Sequence, residues 1–388
     1  MNIACIPYHD WRKITMEGSR TRDSHIMSHL MANDYIQNLV IINRPISLTE
    51  LFIKKKNQKI VGELLYKYRG CKLYKLQSNV YLIDFISNDI LGPILKKKKW
   101  FFDTFDSSSF KEAYEKCLKY LAFNIDIVFS QNIFAAPFVK KMDKSVFDAW
   151  DNFILFPENK EIALELKQAY QDYADFSKAW ITNSTKNADY YGKHYKPKEC
   201  LIIKNGVDVE SFALKYPKQD DLKRINSPII GFGGKISHLF DHKLFNHITK
   251  IHTDKNFVIV GQILDKGVFN DIAKRKNVYY LGDKHYDIYK SYVTNFDVGI
   301  VPYVSDHLEH GADSIKMYEY LASGLSVVGT PGAGMLDMSD YIFIANTHEQ
   351  FVEYIDKALQ IKEKVSLPIE YTWESKTDRI IDLFNAII

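Results

Sequence analysis

An α/β protein of two domains, each a parallel sheet with helices on both faces, is the fold this sequence predicts. A chain of 388 residues exceeds what one ordinary core accommodates, so at least two domains are expected. Short apolar runs alternate with helical patterns along its whole length, the order that builds parallel sheets rather than an all-β or all-α protein. A composition of 46% hydrophobic and 26% charged residues, with 18 Gly and 11 Pro, excludes disordered, collagenous and low-complexity chains.

In the first half the predicted strands are NIACIPY from Asn2, LVIIN from Leu39, VYLIDF from Val80, IDIVFS from Ile125 and FILFP from Phe153, with AWITNS leading into a helix near Ser184. In the second half they are SPIIGFGG from Ser227, NFVIVGQ from Asn256, NVYYLGD from Asn277, DVGIVPY from Asp297, LSVVGT from Leu325 and YIFIAN from Tyr341. Between the halves, Asn205-Gly206 marks a turn, and the charged stretch YPKQDDLKR reads as a linker, which puts a boundary near residues 206–225.

No run of about eighteen apolar residues is present and the amino terminus turns polar after one short apolar stretch, so neither a membrane span nor a signal peptide is predicted and a cytoplasmic protein is expected. Cys5, Cys71, Cys117 and Cys200 are far apart and match no metal-ligand or disulfide spacing. The net charge of +3 is asymmetric: residues 1–205 hold 31 Lys and Arg against 23 Asp and Glu, residues 206–388 hold 20 against 25. The basic excess concentrates at Lys54–Lys56 and at Lys96–Lys99, which run into Trp100, Phe101 and Phe102. Lysines beside exposed aromatics suit an anionic membrane surface or a lipid phosphate; the alternative is a solvated loop whose aromatics turn into the core. Nucleic acid is not expected as a partner, because no recognition motif accompanies the patch.

Two glycine turns and one helix carry the chemistry. The first strand of the second half ends in Gly231-Phe232-Gly233-Gly234-Lys235, where bare backbone N–H groups and the helix beyond suit a phosphate, although the spacing is not that of a dinucleotide fold. Further on, Asp313 or Ser314 caps a helix that Gly324 ends. Lys316 lies in its first turn, where the helix dipole disfavours a cation unless an anion lies between, and a diphosphate supplies that anion. Glu319 shares the Lys316 face and can accept hydrogen bonds from ribose hydroxyls; a solvated Lys316/Glu319 pair on an outer surface is the plain alternative. A second glycine turn, Pro331-Gly332-Ala333-Gly334, follows at the carboxyl end of LSVVGT, where open α/β sheets place ligands.

With these residues in view, KMYEYLASGLSVVGT resembles the donor-binding helix and strand of GT-B glycosyltransferases, particularly the retaining family 4 group, and ITNS…IIKNGVDVESF resembles the end of their first domain. The similarity spans about residues 179–388 in matching order. It implies two Rossmann-like domains facing each other across a cleft: an acceptor-binding domain over residues 1–210, a nucleotide-sugar-binding domain over 211–370, and a helix over 371–388 that crosses back. It also implies that Lys316 contacts the donor diphosphate, Glu319 the ribose, and Gly233-Gly234-Lys235 the phosphates, with Ser314 at the start of the same helix. The backbone around Leu281 and Gly282 would frame the nucleobase, and Gly332, Ala333 and Gly334 would run near the sugar or phosphates. The acidic residue that the family carries eight positions before Glu319 is Gly311 here, with Glu309 and Asp313 nearby, which leaves sugar and stereochemical outcome open. The Lys316 motif is also similar to the inverting membrane-associated glucuronosyltransferase of xanthan assembly.

An inverting transferase needs a carboxylate or histidine within reach of the acceptor hydroxyl. Asp148 and Asp151 are the leading acidic candidates; His25 with Asp23, and His9 with Asp10, are the others, each with an alternative as a helix cap or solvated side chain. A retaining enzyme would let the leaving diphosphate take the proton. The expected function is transfer of a sugar from a nucleotide diphosphate-sugar, a UDP-sugar foremost, to a cell-surface polysaccharide or lipid-linked glycan precursor, with no metal cofactor and with peripheral contact to an anionic membrane. The alternatives are an inactive partner subunit and a sugar-nucleotide epimerase of the same architecture.

Overall fold

The computed structural model describes residues 1–53, 59–305, 313–361, 363 and 365–388. Lys54–Lys56, Glu309 and Gly311, singled out above, lie outside the described residues. The chain divides into two compact units, one formed by Met1–Ile203 with Thr377–Ile388 and the other by Lys204–Lys376.

The sheet of the first unit has ten strands: β1 (Asn2–Ile6), β2 (Asn38–Ile42), β3 (Ile46–Ser47), β4 (Glu63–Tyr68), β5 (Cys71–Gln77), β6 (Val80–Ser87), β7 (Ile127–Ser130), β8 (Ser145–Asp148), β9 (Ala179–Thr182) and β10 (Cys200–Ile202). Their order is β10-β9-β8-β7-β1-β2-β6-β5-β4, with β3 also on β6, and pairing is parallel throughout except in the antiparallel meander β4-β5-β6. Ile3, Ala4, Cys5 and Ile6 have no exposed surface, as a central parallel strand covered on both faces requires. The helix α1 (Arg22–Ala32) follows β1 and opens with a capping box between Thr21 and Ser24. At the other end of the chain, Phe384 packs edge-on against Phe129 of β7.

FILFP is not a strand. Phe153–Leu155 forms a short 3-10 turn. Pro157 has no N–H to give a ladder, and the backbone of Phe153 is satisfied by side chains: its N–H donates to Tyr170 Oη at 3.1 Å and its carbonyl accepts from Asn159 Nδ2 at 2.7 Å. β8 and the β4-β5 hairpin, absent from the strands predicted above, are short or amphipathic and do not stand out as apolar runs. The aromatics after the lysine run turn inward, with Trp100 2% and Phe102 7% exposed. Lys96, Lys97 and Lys99 pair with Asp103, Glu161 and Glu165, while Lys98 donates to Asn159. The exposed apolar side chains beside the lysines are instead Ile90, Leu91, Ile94 and Leu95.

The second unit contains β11 (Ile229–Gly233), β12 (Asn256–Val260), β13 (Val278–Tyr280), β14 (Val298–Val301), β15 (Ser326–Gly329) and β16 (Phe343–Ile344), in the order β13-β12-β11-β14-β15-β16 and all parallel. Each comes from an apolar run predicted as a strand. Strand order reverses between β11 and β14, which makes their carboxyl ends the ligand-binding corner of such a sheet. The segment read as a linker belongs to this unit: Phe212, Leu222 and Ile225 are buried in its core, so the charges of YPKQDDLKR decorate a packed stretch. Gly206 is required there, because a Cβ would lie 2.8 Å from the backbone nitrogen of Trp373.

Candidate functional site

The corner is built from glycines that admit close neighbours. The N–H of Gly233 donates to Tyr320 Oη at 2.6 Å. Gly234 follows at φ 156°, and a Cβ on it would stand 2.5 Å from Cε of Lys316, so the lysine side chain crosses the loop only because the residue is glycine. Behind it, a Cβ on Gly261 would meet the Gly234 carbonyl oxygen at 1.9 Å, while the N–H of Gly261 donates to the carbonyl of Gly282 at 3.0 Å. These contacts bring Leu281-Gly282 beside the Gly233-Gly234-Lys235 loop.

Lys316 sits on α2 (Ile315–Ala322), whose amino-terminal cap is Ser314. The backbone N–H of Ser314 donates to the carbonyl of Ala333 at 3.0 Å, which joins the turn Gly332-Ala333-Gly334 to the start of the helix. Ala333 and Gly334 both take positive φ, 50° and 78°. The Ser314 hydroxyl is 6% exposed as a residue yet its Oγ has no hydrogen-bond partner among the described residues. Lys316 Nζ donates to Tyr303 Oη at 2.5 Å and lies 4.8 Å from the Tyr303 ring centroid and 5.6 Å from that of Phe232. Among the described residues it forms no ion pair with a carboxylate. A half-buried cation in the first turn of a helix, lined by aromatic faces and with no carboxylate partner among the described residues, is an arrangement that an anion completes.

Glu319 is not a solvated partner on the outside of this helix. It is 4% exposed and faces inward, where Tyr286 Oη donates to Oε1 at 2.6 Å and Tyr289 Oη to Oε2 at 3.1 Å. Burial raises its pKa above the ordinary carboxylate value, against the phenol hydrogen bonds and the charges of Lys316 and Lys290, which pull it down. Each carboxylate oxygen keeps a further lone pair for a ligand hydroxyl. The tyrosines belong to α3 (Tyr286–Val293). The signal for them in the sequence is their spacing of three in YDIYKSYV, which puts both rings on one helix face.

Asp313 is committed elsewhere. Its carboxylate accepts from the N–H of Asn205 at 2.6 Å and from Tyr318 Oη at 2.9 Å, and its carbonyl accepts from Asn205 Nδ2 at 2.6 Å. It therefore ties the Asn205-Gly206 turn to the start of α2.

Each catalytic candidate of the first unit has its own hydrogen-bonded setting. Asp148, at the end of β8, has a side chain sealed from solvent and receives Arg22 Nε at 2.9 Å, Arg22 Nη2 at 3.0 Å and Gln131 Nε2 at 3.1 Å, the environment of an anchor rather than of a proton acceptor. Asp151 is half-buried, with its carbonyl accepting from Tyr170 Oη at 2.9 Å. His25 lies within α1 and is 5% exposed. Asp10 caps the short helix Trp11–Glu17, which lies between β1 and α1 in the chain, and accepts from Asn43 Nδ2 at 3.0 Å. What the fold does bring together is His9 and Asp23: His9 Nδ1 stands 3.0 Å from both Asp23 oxygens.

No family model matches the chain. Superposition places it with solved structures of trehalose-6-phosphate synthase: with OtsA the TM-score is 0.71 at 12% identity, covering 100% of both chains. The fold is GT-B. A structure of Alr3699/HepE from Anabaena in complex with UDP-glucose matches with a TM-score of 0.61 at 12% identity over 100% of this chain and 98% of that one. In sequence, the chain is 28% identical over 156 residues to a Bacillus subtilis protein named as the teichuronic acid biosynthesis glycosyltransferase TuaH. That alignment takes in 38% of this chain and 39% of the relative's length. Among the described residues no helix is long and apolar enough to cross a membrane, and no group of three or more His, Cys, Asp or Glu side chains is placed to hold a metal ion.

Proposed function

We propose that the protein is a glycosyltransferase that moves a sugar from a nucleotide diphosphate-sugar, a UDP-sugar in the first instance, to a glycan or lipid-linked glycan acceptor of the cell envelope. The observation that carries this reading is Lys316: a cation without a carboxylate partner among the described residues, in the first turn of α2, lying across Gly234 at the corner where the strand order reverses. A diphosphate there meets the lysine charge and the helix amino terminus, beside a Ser314 hydroxyl that has no partner among the described residues, so negative charge that develops as the glycosidic bond breaks is stabilised by groups already in place. Glu319 is then the acceptor for ribose hydroxyls, and Leu281-Gly282 flank the base. Turnover on these groups needs no metal, which is part of the proposal. The likeness of the fold to sugar-nucleotide-dependent synthases and of part of the sequence to a teichuronic acid glycosyltransferase support it. The exposed Ile90, Leu91, Ile94 and Leu95 beside Lys96–Lys99 support contact with the surface that bears a lipid-linked acceptor.

The test is thermal unfolding with UDP, GDP and the matching monophosphates. A ligand confined to the native state stabilises it by about 2.7 kcal/mol at a hundredfold excess over its dissociation constant. UDP is expected to raise the melting temperature and UMP to do so less at equal concentration; no shift with any nucleoside diphosphate would remove the reading.

A further inference from the structure

Three buried phenols surround Glu319 and the glycine loop, and all of them lie within the unit Lys204–Lys376. Tyr286 and Tyr289, neighbours on one face of α3, donate to opposite oxygens of the carboxylate at 2.6 and 3.1 Å. Burial, and after it the Glu319 charge, pushes both phenols well above their ordinary pKa, so each keeps its proton and remains a donor. A carboxylate held at both oxygens cannot turn, and the lone pairs it has left keep one direction. Tyr320, the next residue on α2, has no exposed surface, and its Oη accepts the N–H of Gly233 at 2.6 Å. Glycines on neighbouring strands make room for these rings: a Cβ on Gly233 of β11 would stand 2.2 Å from Tyr289 Oη, and one on Gly299 of β14 would stand 2.4 Å from the ring of Tyr320. Gly233 therefore seats a phenol, and its N–H is committed to Tyr320. A glutamate that served the fold alone would be out of place in this setting. Burial raises its pKa, a cost that an apolar side chain of similar size would avoid, and groups that carry such a cost gather at binding sites.

We propose that Tyr286 and Tyr289 are positioning residues that make the site specific for a ribonucleoside diphosphate: they fix Glu319 so that it accepts from the ribose hydroxyls, and a deoxyribose leaves the buried carboxylate short of a partner. This rests on the nucleotide-sugar reading above. The two phenols touch no ligand in this scheme and act through Glu319. Tyr320 has a separate task on the same helix, holding α2 against the glycine loop through the Gly233 N–H. Recognition of the sugar ring and support of the loop are thus carried by different tyrosines, which makes them separable by substitution.

UDP and GDP, each beside its 2′-deoxy and 3′-deoxy forms, are titrated into the full chain in a calorimeter. The wild type is expected to bind the ribonucleotide about tenfold or more tightly than at least one deoxy form, because a buried acceptor left without its hydroxyl is costly. In Tyr286→Phe and in Tyr289→Phe the ribonucleotide is expected to weaken until that preference falls below about threefold, while affinity for the rejected deoxy form stays within about threefold of wild type. Tyr320→Phe is expected to weaken all forms alike and keep the preference. A merely structural role for Tyr286 and Tyr289 would lower every affinity together and leave the ratio unmoved. Equal binding of ribo and deoxy forms by the wild type, a result that needs no variant to fold, overturns the assignment and leaves the nucleotide-sugar reading standing. So does a wild-type ratio in both Tyr286→Phe and Tyr289→Phe, or an equal loss of preference in Tyr320→Phe. A wild-type chain that binds neither UDP nor GDP removes both.

Discussion

Glu319 shows how one side chain joins stability to ligand binding. Its position was legible in the sequence, three residues after Lys316, but its surroundings were not, because the phenols that close on it come from a helix some thirty residues earlier in the chain. Since its pKa is raised in the folded chain, protonation favours folding: the contribution is fully present below the ordinary carboxylate value of 4.5 and is lost as pH rises through the folded value. Glu319→Gln removes that dependence. The melting temperature of the variant relative to wild type is expected to climb between pH 4.5 and pH 7, while its affinity for UDP falls; a pH-independent difference would contradict the burial account. Lys316 was more legible, since a cation opening an apolar helix is out of place without an anion.

Elements differ in how plainly their residues announce them. The strands of the second sheet come from apolar runs bounded by turn residues, and the inner ones, β12, β11 and β14, are buried as strands covered on both faces are. FILFP carries the same apolar signature and yet turns, because Pro157 and the side chains of Tyr170 and Asn159 take its backbone out of any ladder. β8 is the reverse case, four residues with Ser145 and Asp148 at its ends, whose place in the sheet is fixed by neighbours distant in sequence. Its Asp148 anchors α1 through Arg22. Breaking a buried pair by removing one partner strands the other charge, so Arg22→Ala is expected to cost about 3–5 kcal/mol of stability. Replacing both by apolar residues of similar volume, Arg22→Met with Asp148→Leu, is expected to recover most of that loss in denaturant titrations. Equal losses for the single and double variants would show that the pair is not a simple anchor.

For the molecule as a whole, the place of the candidate site in one of the two units was readable in the sequence. The phosphate-friendly glycines, the capped helix and the lysine all fall in Lys204–Lys376, and the fold brings Gly234, Lys316, Ser314 and Ala333 into one corner, because every one of them ends or follows a parallel strand or opens the helix beside it. The first unit gave less away. Its lysine run is matched by acidic side chains from distant segments, and its His9/Asp23 pair joins residues fourteen apart that no local pattern links. The central claim is that Lys316 and the amino terminus of α2 hold a diphosphate, and it is tested most directly by titrating UDP into the wild type and into Lys316→Ala in a calorimeter. A hydrogen bond from a charged donor contributes about 1.5–3 kcal/mol, so the variant should bind about 10- to 150-fold more weakly with its melting temperature little changed. Equal affinities in the two proteins would contradict the claim.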